Sequence, residues 1–165
     1  MHGSRRGEPV SVPGRQGTEE PLAWPQPNLI SIPHFDDERG SLLALEWENL
    51  LPFRPQRFYC VKNATPAARR GGHAHWKEQE VLLALAGSFT VAADNGLDRI
   101  EYCMDRSDAA LFLPRGVWHD LYDFSANAIC AVLASEPFYD KEDYCRDYQE
   151  FLTTLARRNS PHPSL

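Results

Sequence analysis

The sequence predicts an all-β sandwich or barrel closed by one C-terminal helix, and three observations carry the prediction. Short segments rich in β-branched, aromatic and leucine residues recur between turn signals. The dipeptide Asn95-Gly96 follows one of them, and a tight type I′ hairpin needs positive φ at both central positions. The chain shows no internal repeat and no helix–strand alternation of the kind that builds a doubly wound sheet.

In chain order, residues 1–27 hold Gly3, Gly7, Gly14 and Gly17 with five of the thirteen prolines and few large apolar side chains, the composition of a flexible leader. The strand candidates are then LISI (29–32), SLLALEW (41–47), RFYCV (57–61), GGHAH (71–75), EVLLALAGSFTVAA (80–93), IEYCM (100–104), ALFLP (110–114) and AICAVLA (128–134). From Tyr139 the pattern changes. Tyr144, Tyr148, Phe151, Leu152 and Leu155 follow at three- and four-residue steps, which predicts a helix on the barrel with Asp140 capping its start. Residues 28–158 thus form the folded domain, and 159–165 (NSPHPSL) read as a disordered tail.

A chain of 165 residues suits one domain that buries roughly two-thirds of the surface its unfolded form exposes, so no covalent staple is needed. Cys60, Cys103, Cys130 and Cys145 are widely spaced without a C-x-x-C pair, and they read as reduced thiols of a cytoplasmic protein. The longest apolar run, VLLALAG, is far too short to span a bilayer, and no apolar stretch follows the N-terminal charges as in a signal peptide. A net charge of −6 argues against non-specific nucleic-acid binding, which needs a basic face to displace counterions. An anionic ligand must then meet local arginines, and Arg39, Arg54, Arg57, Arg69, Arg70 and Arg115 lie within or beside the candidate site segments.

The site segment is RRGGHAHWKEQEVLLALAG, residues 69–87. Side chains alternate faces along a strand, so His73 and His75 project from the same side. A lone strand histidine is most often a hydrogen-bonded structural residue. Two imidazoles side by side repel when protonated, and such a pair costs stability unless something uses it. Metal ligation is one use. Glu80 follows five residues after His75, Gly87 seven after Glu80, and His119 lies downstream in PRGVWH. This spacing resembles the cupin superfamily of small β-barrels, in which His73, His75, Glu80 and His119 would hold iron, manganese, nickel or zinc. Ala67 and Asp108 stand where the two cupin motifs open on glycine.

Acid–base chemistry is the other use. The segments ERGSLLALE, RFYCV, RRGGHAH, LAGSFTV, DNG, LPRGVWHDLYDFS, VLAS and YDKEDYCRDYQEF occur in that order. Together they resemble the nucleotide-sugar 3,4-ketoisomerases, a cupin branch acting on dTDP-4-keto-6-deoxyglucose, from about Leu29 to Phe151. The resemblance implies a cupin-type β-barrel (jelly roll), a cytoplasmic homodimer, a dTDP-linked keto-deoxysugar as substrate, and no cofactor. Moving a ketone from C4 to C3 requires proton removal from C3, an enediol, and proton delivery to C4, for which imidazole suits.

By that similarity His73 is the proton-transfer base, His75 the second acid–base or orienting group, and Tyr59 a hydroxyl that relays a proton or polarises the enediol oxygen. Arg39 and Arg70 would meet the diphosphate or carbonyl through forked donors. Trp118, His119 and Tyr122 are the remaining substrate-contact candidates. The family often carries glutamine at the place of Glu80, and glutamate there completes the alternative ligand set. Two other functions stay open at this point: a metal-dependent cupin enzyme such as a dioxygenase, and a non-catalytic sugar-binding cupin.

Overall fold

A computed structural model describes residues 26–138 and 142–159. The leader and tail readings lie outside the described residues except for Gln26, Pro27 and Asn159, as do Tyr139 and the expected cap Asp140. The strands are β1 (Asn28–Ser31), β2 (His34–Asp37), β3 (Gly40–Leu43), β4 (Arg57–Lys62), β5 (Arg70–His75), β6 (Glu80–Ala86), β7 (Phe89–Asp94), β8 (Arg99–Met104), β9 (Ala109–Leu113), β10 (Trp118–Tyr122), β11 (Ile129–Ala134) and β12 (Tyr144–Cys145). A one-turn helix, α1 (Trp47–Leu50), follows β3, and α2 (Tyr148–Asn159) ends the described chain.

Two five-stranded antiparallel sheets, ordered β1-β9-β6-β11-β4 and β12-β5-β10-β7-β8, face each other as a cupin-type barrel, with β2 and β3 as a separate hairpin. Between the sheets, Leu82, Leu111 and Val132 of the first meet Phe89, Val91 and Leu121 of the second in one buried cluster. The inward Leu82 and Ala84 of β6 face the second sheet while its outward Val81 and Leu83 are covered by Ile32, Leu51 and Phe53, which is why its EVLLALA run is apolar on both faces rather than alternating. The outer face of the second sheet is covered by α2, whose Phe151 and Leu155 bury against Ala74 and Trp118. Each of those helix side chains contributes about 1.5–3 kcal/mol by leaving water.

Four local expectations are corrected. Asn95-Gly96 does not form a two-residue turn, because four residues separate β7 from β8 and only Gly96 has positive φ (90°). The Asn95 side chain closes the loop instead, its Oδ1 accepting from the Leu97 and Asp98 amides at 2.9 Å each. The segment SLLALEW is not one strand: β3 stops where its short partner β2 ends, and the Leu50 amide bonds to the Glu46 carbonyl at 3.0 Å to start α1. Tyr144 belongs to β12, paired with His75, and not to the helix. The helix begins four residues later, where Asp147 Oδ1 accepts the Glu150 amide at 2.9 Å. Strands β2, β10 and β12 were not among the strand candidates.

Candidate active site

The site forms where β5 and β10 of the second sheet look across the barrel at β4 and β6 of the first. Alternation along β5 sends His73 and His75 inward and Ala74 outward beneath α2. The pairing of β5 with β10 runs Trp118–Ala74, His119–His73, Asp120–Gly71 and Leu121–Arg70, so Gly72 is an extra residue in a β-bulge. Gly71 and Gly72 take φ of 77° and 68°, and a Cβ on Gly71 would lie 2.5 Å from the His119 carbonyl oxygen. The glycine pair therefore lets the two histidine-bearing strands approach, and His73 and His119 end with ring centres 4.7 Å apart.

A chain of polar contacts crosses the barrel. His75 Nδ1 donates to Asp143 Oδ2 at 2.6 Å, and the Nε2 atoms of His73 and His75 are 3.1 Å apart. His119 Nε2 lies 3.5 Å from Glu80 Oε2, and the Tyr59 hydroxyl donates to Glu80 Oε1 at 2.6 Å. Glu78 receives Arg57 at 2.8 Å, and its Oε1 sits 3.6 Å from His75 Nε2. The Tyr144 ring covers His75 at 4.4 Å. His75, Glu78, Glu80, His119 and Asp143 are all buried. Beside them a cavity of about 250 Å³ opens between Arg57, Lys77, Phe138, Asp143 and Tyr144.

Burial dominates the electrostatics. It lowers His73 to about 4, helped by the neighbouring charge of His119, and it lowers His75 and His119 as well. The three imidazoles are therefore neutral near pH 7, with lone pairs available. Burial, then repulsion by the Glu80 charge, raises Glu78 to about 8, so it carries its proton at neutral pH. Burial also pushes Glu80 upward, but His119, His75 and the Tyr59 hydrogen bond outweigh it and hold this carboxyl below its usual range. Burial and the Glu80 carboxylate raise the Tyr59 phenol, which stays a neutral donor.

Of the residues expected from sequence, the fold brings together Tyr59, His73, His75, Glu80 and His119. It does not bring in Arg39, Trp118 or Tyr122. Arg39 is exposed at the β2–β3 turn and pairs with Asp37 through its fork. Trp118 and Tyr122 have the wrong parity: on β10 His119 and Leu121 face inward, so Trp118 packs outward against Tyr148 (5.2 Å) and Phe151 (5.8 Å). The Tyr122 hydroxyl donates to Glu101 under the Arg69 guanidinium. Arg70 is exposed at the head of β5, where the bulge returns it to the histidines' face opposite Leu121.

Three residues of the constellation were not read as site residues from the sequence. Glu78 sits in the loop after β5, Asp143 is 68 positions from its histidine, and Tyr144 was assigned to the helix stripe. Arg57 was counted among the site arginines but given no role. The nitrogens of His73, His75 and His119 lie within 4.8 Å of one another, as do the ligand atoms of His75, Glu78 and Glu80. The three imidazoles fit a divalent cation: His73, His75 and His119 would hold it, with Glu80 3.5 Å from His119 beside them, and it would supply Lewis-acid polarisation of an oxygen.

Known proteins share this sequence and fold. Residues 25–156 match the family described as FdtA: WxcM-like, C-terminal. A TDP-4-oxo-6-deoxy-α-D-glucose-3,4-oxoisomerase of Aneurinibacillus thermoaerophilus is 37% identical over 131 residues, 79% of this chain and 94% of that protein. The crystal structure of a 3,4-ketoisomerase from Helicobacter canadensis superposes with a TM-score of 0.75 at 33% identity, covering 79% of this chain and 97% of its own. A variant of a Thermoanaerobacterium thermosaccharolyticum 3,4-ketoisomerase, in complex with TDP-4-keto-6-deoxyglucose, gives 0.76 at 27% identity, with 80% and 95% coverage. With the match spanning nearly the whole barrel and the inward histidines in place, the chain belongs to the nucleotide-sugar 3,4-ketoisomerase family.

Proposed function

We propose that His73, His75 and Tyr59 move the protons of a 3,4-ketoisomerisation that converts dTDP-4-keto-6-deoxy-D-glucose to its 3-keto isomer in deoxysugar biosynthesis. The observation that carries the reading is the inward pair of neutral imidazoles with facing Nε2 atoms 3.1 Å apart. His73, the less buried of the two, takes the proton from C3, and O4 gains a proton to give the enediol. A proton then returns to C4 while O3 loses its own, leaving the ketone at C3. Tyr59, held protonated, donates to the oxygen that carries the developing charge. The substrate brings both ketone and exchangeable proton, so the scheme calls for no redox cofactor or metal.

In this reading arginine meets the diphosphate: Arg57 lines the cavity beside Phe138, and Arg70 lies at the other end of β5 on the histidines' face. A homodimer is supported by an apolar groove of about 440 Å³ on the outer face of the first sheet, lined by Trp47, Phe58, Leu83, Leu85 and Leu133. The second sheet covers the matching face with α2. A cytoplasmic location accords with four free thiols.

The test is a proton NMR time course of metal-stripped protein with dTDP-4-keto-6-deoxyglucose in deuterated buffer. A 3-keto product with deuterium at C4 is expected. His73→Asn should abolish deuterium incorporation while nucleotide binding stays within about threefold. Turnover only after iron, manganese or zinc is restored would replace this scheme with the metal-dependent one. Silence under both conditions, with nucleotide bound, would leave a sugar-binding protein.

A further inference from the structure

Imidazole has two nitrogens, and the one that carries hydrogen decides whether the other can accept. His75 Nδ1 faces Asp143 Oδ2 at 2.6 Å, and a carboxylate only accepts there. The neutral ring is therefore Nδ1–H, with its lone pair on Nε2, the atom that faces His73 Nε2. Asp143 is itself held in place. It is buried, and its other oxygen, Oδ1, accepts the backbone amides of Lys77 and Glu78, closing the turn that follows β5.

We propose that Asp143 is a positioning residue that fixes the tautomer of His75, so that a proton collected by His73 meets a lone pair at His75 Nε2. In the opposite tautomer, protonated His73 would direct an N–H at a second N–H across 3.1 Å, and proton uptake by His73 would be opposed. This inference rests on the ketoisomerase reading of the two histidines, but its structural half is measurable without turnover.

Asp143→Asn separates the two duties of the side chain. The amide oxygen keeps the bonds to the Lys77 and Glu78 amides, while its NH₂ donates to His75 Nδ1 and forces hydrogen onto Nε2. The experiment combines imidazole ¹⁵N spectra of labelled wild type and variant with steady-state kinetics on dTDP-4-keto-6-deoxyglucose, both metal-stripped. His75 in wild type should show a lone-pair-type Nε2, and the variant should exchange the two nitrogen signatures. The variant's kcat should fall by about 10²-fold or more, as for a wrongly held catalytic imidazole, with KM within about threefold. Asp143→Glu, which can still accept from Nδ1, should recover part of kcat.

A wild-type His75 with hydrogen on Nε2 overturns the proposal, as does a variant that switches tautomer yet keeps its kcat. A variant whose kcat and thermal stability fall together, with the Nδ1–H signature retained, would make Asp143 a structural clamp and overturn it too. Inactive wild type with the expected tautomer would instead sink the ketoisomerase reading while leaving the tautomer assignment intact.

Discussion

Substituting Gly71 and Gly72 separately by alanine tests whether the bulge builds the site. Both glycines sit at positive φ, 77° and 68°, where an alanine costs about 1–2 kcal/mol of backbone strain. They differ in space. A Cβ on Gly72 would meet its nearest atom, Asp120 Oδ1, at 3.8 Å, an ordinary contact, whereas on Gly71 it would lie 2.5 Å from the His119 carbonyl oxygen. That neighbour is backbone and cannot swing away, so β5 and β10 must part, which adds about 1–3 kcal/mol. Gly71→Ala should therefore lose about 3 kcal/mol and Gly72→Ala about 1 kcal/mol. For a domain of this size each kcal/mol moves Tm by about 2–4 °C, so calorimetry should give losses of about 6–12 °C and 2–4 °C respectively. Because His119 is the residue displaced, kcat should drop about tenfold or more in Gly71→Ala and much less in Gly72→Ala. Equal Tm losses in the two variants, or a Gly71→Ala enzyme with wild-type kcat, would refute the argument that close strand approach sets the histidine geometry.

Two further outcomes follow from the electrostatics and the packing. His73 is lowered from 6.5 to about 4, so in that interval the unfolded chain binds a proton that the native protein does not, and stability falls as pH drops, by about 3 kcal/mol for this residue. His75 and His119 act in the same direction, while Glu78, raised to about 8, acts oppositely and makes stability rise as pH falls from about 8 toward 4.5. Urea unfolding across pH should therefore find its maximum near 6.5, with a shallower acid fall in His73→Asn; a monotonic rise toward pH 8 would contradict the raised Glu78 carboxyl, and the same acid limb in His73→Asn as in wild type would contradict a buried neutral His73. Trp118→Ala should cost about 3–5 kcal/mol by opening a cavity under α2 and leave KM nearly unchanged. A raised KM with intact stability would return Trp118 to the substrate pocket.

The barrel and the inward histidines were legible because they rest on period-two alternation, which needs no knowledge of distant partners. The same rule, had WHDLY been assigned as a strand, would have separated His119 from Trp118 and Tyr122, since neighbours in a strand cannot share a face. The glycine pair before His73 was visible, but its use as a bulge depended on the β10 backbone lying against it. Asp143 and Glu78 carried no local signal. Their meaning comes from contacts across the fold, Asp143 to a histidine 68 residues earlier and Glu78 to Arg57, 21 residues earlier. Tyr144 was misplaced because its step to Tyr148 satisfies helical spacing equally well, and only the ladder to His75 and the Asp147 cap decide between the two.

Glu80 is the residue through which the two sheets of the site touch. An amide there could accept from Tyr59 just as the carboxylate does, but its NH₂ would have to face His119, and it would add no charge. The carboxylate accepts a hydrogen bond from Tyr59 at 2.6 Å, and His119 stands 3.5 Å from its other oxygen. Burial first, and then that buried charge, raise both the Tyr59 phenol and the neighbouring Glu78 carboxyl. Glu80 thus stands between the Tyr59 donor on the first sheet, the Glu78 carboxyl in the loop after β5, and the three imidazoles on the second sheet. In the proposed reaction these groups would offer bases and a hydrogen-bond donor to the enediol, the polarity that such an intermediate requires.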